Sequence, residues 1–234
     1  MGASPERLEI SFILPAHNES ENIDSIARRA LAVLASRFER FELIIVDDGS
    51  DDATAQRAEA LRSEFPQTRL LRHEGRRGYG AALKTGIQQA RGELVFFTDS
   101  DGQFDVGELS LLLDKIGRFD IVAGYRVRRR DPLGRAVLAW GWGLLARLLF
   151  GLRFKDLNCA FKLFRRRVFD EIPIESVGAF VNTEILIRAK RHGFVWTQVP
   201  VTHYPRRAGR QSGASLRVIL KALAELWRFW RQWR

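Results

Sequence analysis

The stretch Leu94-Val95-Phe96-Phe97-Thr98-Asp99-Ser100-Asp101-Gly102-Gln103 decides the fold class, because an apolar run passes directly into an acidic turn. A short apolar run bounded by turn residues is typical of a buried strand. Open α/β sheets bind their ligands at the carboxyl ends of such strands. We therefore predict that Asp99 and Asp101 lie at a strand end, beside a ligand-binding crevice.

The spacing of Asp99 and Asp101 indicates a site for a cation. Two carboxylates one residue apart repel each other unless a positive charge lies between them, and oxygen ligands of this kind favour Mg²⁺ or Mn²⁺. Such an ion would hold a diphosphate. Short acidic motifs also occur in solvated turns, so the pentapeptide alone leaves both interpretations open.

Outward from this stretch, the pattern alternates between strand and helix. We predict strands at residues 10–14, 41–46, 69–72, 94–98, 120–123, 160–164 and 194–199. We predict helices at residues 21–38, 52–65, 79–90, 107–116 and 181–192, the first with Asn18 or Ser20 as its N-cap. Such alternation predicts an α/β fold with a mostly parallel central sheet and helices on both faces.

Two segments depart from this alternation. Residues 133–153 are apolar, but their uncharged part, 136–146, is shorter than the roughly 20 residues that span a bilayer. Residues 214–234 form an amphipathic pattern in which tryptophan and arginine interleave, as suits a lipid headgroup layer. A helix docked on its own domain would explain the same pattern. We predict a domain at 1–213, with an interfacial helix at 133–153, and an amphipathic helix at 214–234.

The bulk composition limits the classes of function. The single cysteine, Cys159, excludes an intrachain disulfide, and residues 1–9 contain no apolar secretion signal, so we expect a cytoplasmic protein. A formal charge of +10 favours an anionic partner. Because basic clusters flank apolar segments and no zinc-finger or RNA-recognition signature is present, a membrane surface is favoured over nucleic acid.

Four polar segments follow predicted strands: PAHNE at 15–19, VDDGS at 46–50, GYG at 78–80 and DSDGQ at 99–103. In this fold class they converge on one cleft. The Asp48 carboxylate can accept a hydrogen bond there from a nucleobase or a ribose, and Gly78 and Gly80 permit a tight turn or close approach of a ligand. Each segment is an ordinary turn by itself, but their joint placement indicates a nucleotide site.

A family resemblance rests on the motifs PAHNE, VDDGS, GYGAALKTGIQQARGELVFFTDSDGQ, GYR, KDLNCAFKLFRR and NTEILIRAKRHGF. From residue 10 to about 215 the chain resembles inverting glycosyltransferases of family two, most closely the dolichol- and polyprenyl-phosphate sugar synthases. The resemblance implies the GT-A nucleotide-diphospho-sugar transferase fold. It implies transfer of a sugar from GDP-mannose or a UDP-hexose to a polyprenyl monophosphate. The reaction would take place at the cytoplasmic membrane face, reached by peripheral contact or through a membrane-protein partner.

The resemblance also assigns roles to individual residues. Those it places in the nucleotide pocket are Pro15, His17, Glu19, Val46, Asp48, Asp99 and Ser100. Those it places on the metal are Asp99, Asp101 and Gln103. Those it places near the acceptor phosphate and the sugar are Arg126, Lys155 and Cys159, with Lys190 and Arg206 or Arg207 as further phosphate contacts. Catalysis would then depend on Asp101, Arg126 and Lys155.

Three positions depart from the family pattern: His17 stands where tyrosine is usual, Cys159 where serine is frequent, and Trp140-Gly141-Trp142-Gly143 where arginine or asparagine is common. The acceptor side is therefore the less specific part of the resemblance. An alternative function keeps the fold and transfers the sugar to a hydroxyl group, with Glu184 as a general base; a structural role for Glu184 is equally open. A protein that only binds nucleotide sugar is a third interpretation, against which the intact acidic motif argues.

Two histidines and the cysteine have ordinary explanations as well. His73 and His203 lack the spacing of metal ligands and are predicted to be surface or hydrogen-bonded structural residues. Cys159 has no partner at the spacing of a catalytic nucleophile.

Overall fold

A computed structural model describes residues 9–127, 133–206, 208 and 216–233. Its strands are Ile10–Ala16 (β1), Phe41–Asp47 (β2), Thr68–Arg72 (β3), Leu94–Phe97 (β4), Ile121–Val127 (β5), Lys162–Arg165 (β6) and Trp196–Thr202 (β7). Its α-helices are Ile23–Ala35 (α1), Thr54–Glu64 (α2), Tyr79–Gln89 (α3), Leu109–Ile116 (α4), Leu133–Phe150 (α5), Arg167–Glu171 (α6), Val181–Arg191 (α7) and Leu216–Trp233 (α8). A 3₁₀ turn, Val106–Glu108, precedes α4.

The strands form one sheet in the order β3-β2-β1-β4-β6-β5-β7. Strand β1 pairs in parallel with β2 on one side and with β4 on the other, so the direction of winding reverses there. Strand β6 runs antiparallel to both β4 and β5, and the remaining pairs are parallel. The predicted mostly parallel α/β sheet is confirmed. The carboxyl ends of β1, β2 and β4 meet at the edge where open α/β sheets bind ligands.

The central strands are apolar because both of their faces are covered. Every residue of β1 and β2 is buried, which removes the alternation expected of a half-exposed strand. On one face, Phe12, Phe96 and Phe161 pack edge to face, and α1 covers them with residues spaced three and four apart. On the other face, Phe97 stacks on Phe164 beneath α3 and α7. These two layers hold the strand ends rigidly.

The first helix does not begin where the sequence suggests. Helix α1 starts at Ile23, after Asn22, so the prediction of Asn18 or Ser20 as its N-cap is wrong. Asn18 has a positive φ of 57°, and its side-chain oxygen accepts from the backbone N–H of Asp51. The backbone N–H of Ser20 donates to Asp52. Both residues are used to join the loop after β1 to the loop after β2.

Helix α8 docks on the domain. Its buried residues are Ala222, Leu226 and Phe229, and the Phe229 ring lies 5.5 Å from Phe180 and 6.0 Å from Phe150 between centroids. Leu220, Leu223 and Trp227 lie on its exposed side. The apolar stripe that the sequence predicts for this helix also includes Trp230, which is half-buried, and Leu216, Ile219 and Trp233, whose side chains lie outside the described part of the chain, as does that of Trp140. Within the described ranges, no helix is long and apolar enough to cross a bilayer.

Candidate active site

The loops that follow β1, β2 and β4 form one wall at the sheet edge. The bonds that join them are Asp48 N to Ala16 O (2.8 Å), Asn18 N to Ser50 Oγ (3.0 Å), Glu19 N to Thr54 Oγ1 (2.8 Å) and Ser100 Oγ to Pro15 O (2.8 Å). The His17 ring adds a contact of 3.0 Å between Nδ1 and the Asp48 carbonyl. The structure therefore brings the predicted nucleotide segments together, as the sheet topology requires.

The carboxylates of Asp99 and Asp101 lie on this wall with little solvent around them. Burial, and then the neighbouring charge of Asp101, raise the pKa of Asp99 to about 7. Burial also raises the pKa of Asp101. Both shifts mean that the surrounding protein does not neutralise two negative charges at this place. A divalent cation would supply the missing charge, and the oxygen donors present fit Mg²⁺ or Mn²⁺.

Gln103 lies beside the acidic pair. Its side-chain nitrogen donates to Tyr204 O at 2.9 Å, and the Tyr204 N–H donates back to Gln103 O at 2.7 Å. The Gln103 backbone N–H donates to Asp101 at 3.1 Å. These bonds use the amide nitrogen and not the amide oxygen of the side chain, so that oxygen is the atom suited to a metal ion.

Arg206, in the segment after β7, lies beside Asp101 of the acidic pair. Its guanidinium donates to both carboxylate oxygens of Glu19, at 2.6 and 2.7 Å, and lies 3.7 Å from the Asp101 carboxylate. Burial raises the pKa of Glu19, against the lowering effect of its bonds with Asn22 and Arg206. Glu19, Arg206 and Asp101, all named from the resemblance, thus form one cluster. Arg207 lies outside the described residues.

Asp48 is held by the protein itself. Its Oδ1 accepts from Arg77 N at 2.9 Å and contacts His73 Nδ1 at 2.8 Å, while its Oδ2 accepts from Gly78 N at 2.8 Å. His73 is buried and also contacts Thr85 Oγ1 at 3.0 Å. The carboxylate therefore shapes the turn that enters α3. A direct contact with a base or ribose stays a prediction.

The two glycines of this turn approach another loop of the protein. Gly78 has a φ of 112°, and the N–H groups of Gly80 and Ala81 donate to Val177 O at 3.0 and 3.3 Å. A Cβ atom on Gly80 would lie 2.5 Å from Ser176 O. These glycines allow the loop 175–178 to pack closely against the start of α3. The sequence pattern does not predict this contact.

Glu184 holds that loop in place. Its fully buried carboxylate accepts from the backbone N–H groups of Glu175 and Ser176, at 3.1 and 2.8 Å, and from Arg188 Nε at 2.8 Å. These donors engage both oxygens, so the structural alternative for Glu184 is favoured over a general base.

Two cationic side chains meet at the end of β5. Arg126 binds Asp156 through two nitrogens, at 2.6 and 3.0 Å, and Lys155 Nζ lies 4.2 Å from the centre of the Tyr125 ring. The Arg126 charge also lowers the pKa of both Asp99 and Asp101, so it is within electrostatic reach of the acidic pair. The predicted acceptor side and the predicted metal side therefore border the same cleft.

Two residues named from the resemblance, Val46 and Lys190, have side chains engaged elsewhere in the protein, whereas Cys159 lies near Asp156 and Arg126. Val46 is fully buried against α3, so its side chain belongs to the core and does not line a pocket. The Lys190 ammonium donates to the carbonyls of Phe150 and Gly151, both at 2.9 Å, and so holds the end of α5. Cys159 is buried, and burial raises the pKa of its thiol to about 12. The side chains of Val46 and Lys190 are engaged within the protein, and their assigned roles at the site stay predictions.

The sequence reasoning missed two residues whose polar groups are buried near Asp99, namely Tyr79 and Lys162. The Tyr79 hydroxyl is buried beside Asp99 and Asn182. Lys162 is fully buried in β6 and bonds to Asn182 Oδ1 at 3.0 Å. The signal for Asp156 and Lys162 was the motif KDLNCAFK, in which only Lys155 and Cys159 received roles.

A reversal of winding at β1 and an acidic pair at the end of β4 define an open α/β sheet with an acidic crevice at its topological switch point. Residues 11–173 match the family described as glycosyl transferase family 2. This match covers well over half of the chain, and the protein belongs to that family.

The curated relatives are longer than this chain. The glycosyltransferase AglD of Haloferax volcanii is 32% identical over 98% of this chain, which spans 38% of the relative. The dodecaprenyl-phosphate galacturonate synthase of Rhizobium johnstonii is 28% identical over 94% of this chain, which spans 67% of the relative.

A solved structure shows the same fold. The glucosyl-3-phosphoglycerate synthase of Mycobacterium tuberculosis, in complex with Mn²⁺, uridine diphosphate and phosphoglyceric acid, superposes with a TM-score of 0.66 at 23% identity. The alignment covers 97% of this chain and 75% of that one. Together with the strand order, this likeness confirms the GT-A fold.

Proposed function

We propose that the protein transfers a sugar from a nucleotide diphosphate sugar to a polyprenyl monophosphate, with inversion at the anomeric carbon. The observation that carries the proposal is that the Arg126 guanidinium, held by Asp156, lies within electrostatic reach of the Asp99–Asp101 pair. The donor site needs carboxylates that hold a metal ion, and the acceptor site needs a basic side chain that binds a phosphate. Both kinds of group are present here, close to each other. The name of one relative, the dodecaprenyl-phosphate galacturonate synthase, contains a polyprenyl phosphate, and this supports the choice of acceptor.

On the donor side, a metal ion would be held by Asp99, Asp101 and Gln103. When bound, it would neutralise the charge that develops on the departing nucleoside diphosphate. The Mn²⁺ and uridine diphosphate in the solved relative support this assignment. The loops after β1 and β2 would hold the nucleoside, and Arg206 would exchange its bonds with Glu19 for the diphosphate.

On the acceptor side, a phosphate oxygen attacks the anomeric carbon as the bond from that carbon to the diphosphate oxygen breaks. The leaving oxygen keeps the bonding electrons, so the products are a sugar-1-phospholipid and a nucleoside diphosphate. Because a phosphate monoester is already ionised at neutral pH, no general base is required. Arg126 and Lys155 would orient the attacking oxygen, since a fixed guanidinium matches phosphate geometry.

Access to a lipid acceptor requires a membrane surface, for which α5 and α8 are the candidates. Leu148 of α5 is 72% exposed, and Leu220 and Trp227 of α8 are 57% and 58% exposed. Exposed arginines accompany them, among them Arg147 and Arg228. Apolar side chains with interleaved arginines suit peripheral binding at the cytoplasmic leaflet, directly or together with a membrane-protein partner.

The alternative with a hydroxyl acceptor has less support. A hydroxyl needs a base, and the residue considered for that role, Glu184, has its carboxylate engaged by backbone N–H groups and Arg188. The phosphate acceptor needs none.

The decisive experiment incubates the protein with a panel of GDP- and UDP-sugars, polyprenyl phosphate and either Mn²⁺ or Mg²⁺. The expected product is a lipid-linked sugar that requires the metal and the prenyl phosphate together. A parallel panel with glycan and small-molecule hydroxyl acceptors serves as the comparison. Product in the second panel alone would overturn the proposal.

A further inference from the structure

Lys162 is a cation in the middle of the sheet. It lies in β6 opposite Phe97 of β4 and Ala123 of β5, and its side chain is fully buried. Its ammonium is 5.9 Å from the centre of the Phe97 ring. Burying an ammonium among apolar side chains is costly unless its donors are satisfied, so this position calls for a specific role.

The three N–H groups of the Lys162 ammonium are all used within the protein. They donate to Cys159 O, to Leu157 O at 3.2 Å and to Asn182 Oδ1 at 3.0 Å. An ammonium has three donors and no acceptor, so none is left for a substrate. Lys162 therefore acts on the site through the groups that it holds.

Two of these bonds hold the turn that carries Asp156. Leu157 is the residue after Asp156 and Cys159 lies three residues after it, and the buried Asp156 carboxylate binds Nε and Nη2 of Arg126. A bidentate pair fixes the plane of the guanidinium as well as its position. The orientation of Arg126 thus depends on the turn, and the turn depends on Lys162.

The charges around Lys162 also support the link between Lys162 and Arg126. Burial lowers the pKa of Lys162 to about 8, while the carboxylates of Asp156 and Asp99 act in the opposite direction. The ammonium is therefore within electrostatic reach of the carboxylate that holds Arg126 and of a carboxylate of the predicted metal site.

We propose that Lys162 is a positioning residue that sets the orientation of Arg126 toward the acceptor phosphate. This inference rests on the proposed function for the identity of the acceptor. It does not rest on it for the link from Lys162 to Arg126, which can be measured without any acceptor.

The link is tested by the Arg126 Nε–H signal in a proton–nitrogen correlation spectrum, assigned by its absence in Arg126→Lys. Lys162→Met keeps an unbranched side chain, one heavy atom shorter, and removes its donors. The matched control is Arg165→Met, in the same strand, whose guanidinium donates to the carbonyls of Ile116, Gly117 and Phe119 at the opposite end of the strand. We expect the Arg126 signal to shift or broaden in Lys162→Met and to stay unchanged in Arg165→Met.

The kinetic readout separates positioning from a general loss of structure. In Lys162→Met, kcat/KM for polyprenyl phosphate should fall by about 10- to 100-fold, the loss that a misplaced orienting group causes. Metal-dependent binding of the nucleoside diphosphate should fall by less than kcat/KM for polyprenyl phosphate, because the bonds that join the loops of the donor wall do not involve the turn. An equal loss of donor and acceptor binding would overturn the proposal.

Lys162→Arg covers the case in which Lys162→Met does not fold. It keeps the charge and changes the positions of the donors, so the Arg126 signal should again move. An unchanged signal in a folded variant would refute the inference, whatever the activity. If the signal moves while the parent protein transfers no sugar to prenyl phosphate, the link stands and the proposed acceptor fails.

Discussion

In the proposed mechanism, Asp99 and Asp101 hold the metal ion that would neutralise the charge of the leaving diphosphate. We predict that Asp101→Asn abolishes transfer and weakens metal-dependent nucleotide binding while the fold survives. Losing a charged metal ligand removes stabilisation of the leaving group, and electrostatic contacts of this kind contribute about 3–4 kcal/mol to the barrier. Turnover and calorimetric binding of nucleotide with Mn²⁺ measure the two effects.

A nearby aspartate supplies the control for that variant. The half-buried turn residue Asp105 accepts from the Gly107 N–H outside the acidic pair, and asparagine can make the same bond. Asp105→Asn should therefore behave like the parent protein. Near-normal turnover in Asp101→Asn would remove this residue from the metal site.

The raised pKa of Asp99 predicts how metal affinity depends on pH. The protonated carboxyl cannot bind a cation, and in the absence of metal its pKa is about 7. Lowering the pH below this value should weaken Mn²⁺ binding by up to about tenfold per unit, whereas raising it should have little effect. Titrations with Mn²⁺ between about pH 5.5 and 8 test the sign, and a flat profile would show that Asp99 is not a ligand.

At the scale of single elements, the start of α3 depends on glycine because of a neighbouring loop. A Cβ atom on Gly80 would lie 2.5 Å from Ser176 O and 2.7 Å from Gly178 O. We predict that Gly80→Ala costs about 1–3 kcal/mol of unfolding free energy, as overpacking does, and weakens nucleotide binding. Thermal unfolding and nucleotide titration provide the measurement.

Gly75 is the matched glycine, since a Cβ atom there would meet no heavy atom within 4 Å. Gly75→Ala should change stability by no more than about 0.5 kcal/mol. If both alanine variants were equally stable, the loop 175–178 would not be the reason for Gly80.

Helix α8 has one face against the domain and another toward solvent, which changes how its lipid role should be tested. Removing the helix would also uncover the surface beneath Leu226 and Phe229, so point substitutions are cleaner. We predict that Leu223→Ser with Trp227→Ser reduces flotation with anionic vesicles, because burying each side chain contributes roughly 1.5–3 kcal/mol. High salt should weaken the remaining electrostatic part.

Leu111 of α4 is a control with the same exposure, since Leu111 and Leu223 are both 38% exposed. Leu111→Ser should leave flotation unchanged. Flotation that does not respond to the α8 substitutions would assign membrane access to α5 or to a partner protein.

For the molecule as a whole, the sheet was predictable because its central strands are continuous apolar runs between helices with regular periodicity. The N-cap of α1 was not, because contacts of Asn18 and Ser20 with a distant loop outweigh the local preference. Neither the antiparallel direction of β6 nor the short helix α6 leaves a periodic signal. Local pattern thus predicts which elements exist better than how they pair.

The same limit applies to the candidate site. Asp99, Asp101 and Gln103 could be located because they follow an apolar strand directly. The buried residues that hold the site in place could not be located from the sequence. Lys162 lies in an apolar strand where a lysine is unexpected, and Glu184 acts on α3 from about 100 positions later in the chain. Residues that act through the backbone of other segments have no spacing that sequence reasoning can recognise.

The contact of Gly80 and Ala81 with Val177 decides where this chain can be divided. The family match ends at residue 173, before the loop that accepts these two N–H groups. The segments of the proposed donor site are therefore not a transferable module, since the loop that accepts these two N–H groups is encoded beyond that boundary. A fragment of residues 9–173 should unfold without a cooperative transition. A chimaera that exchanges the donor half between relatives should bind nucleotide only when residues 174–184 are exchanged with it.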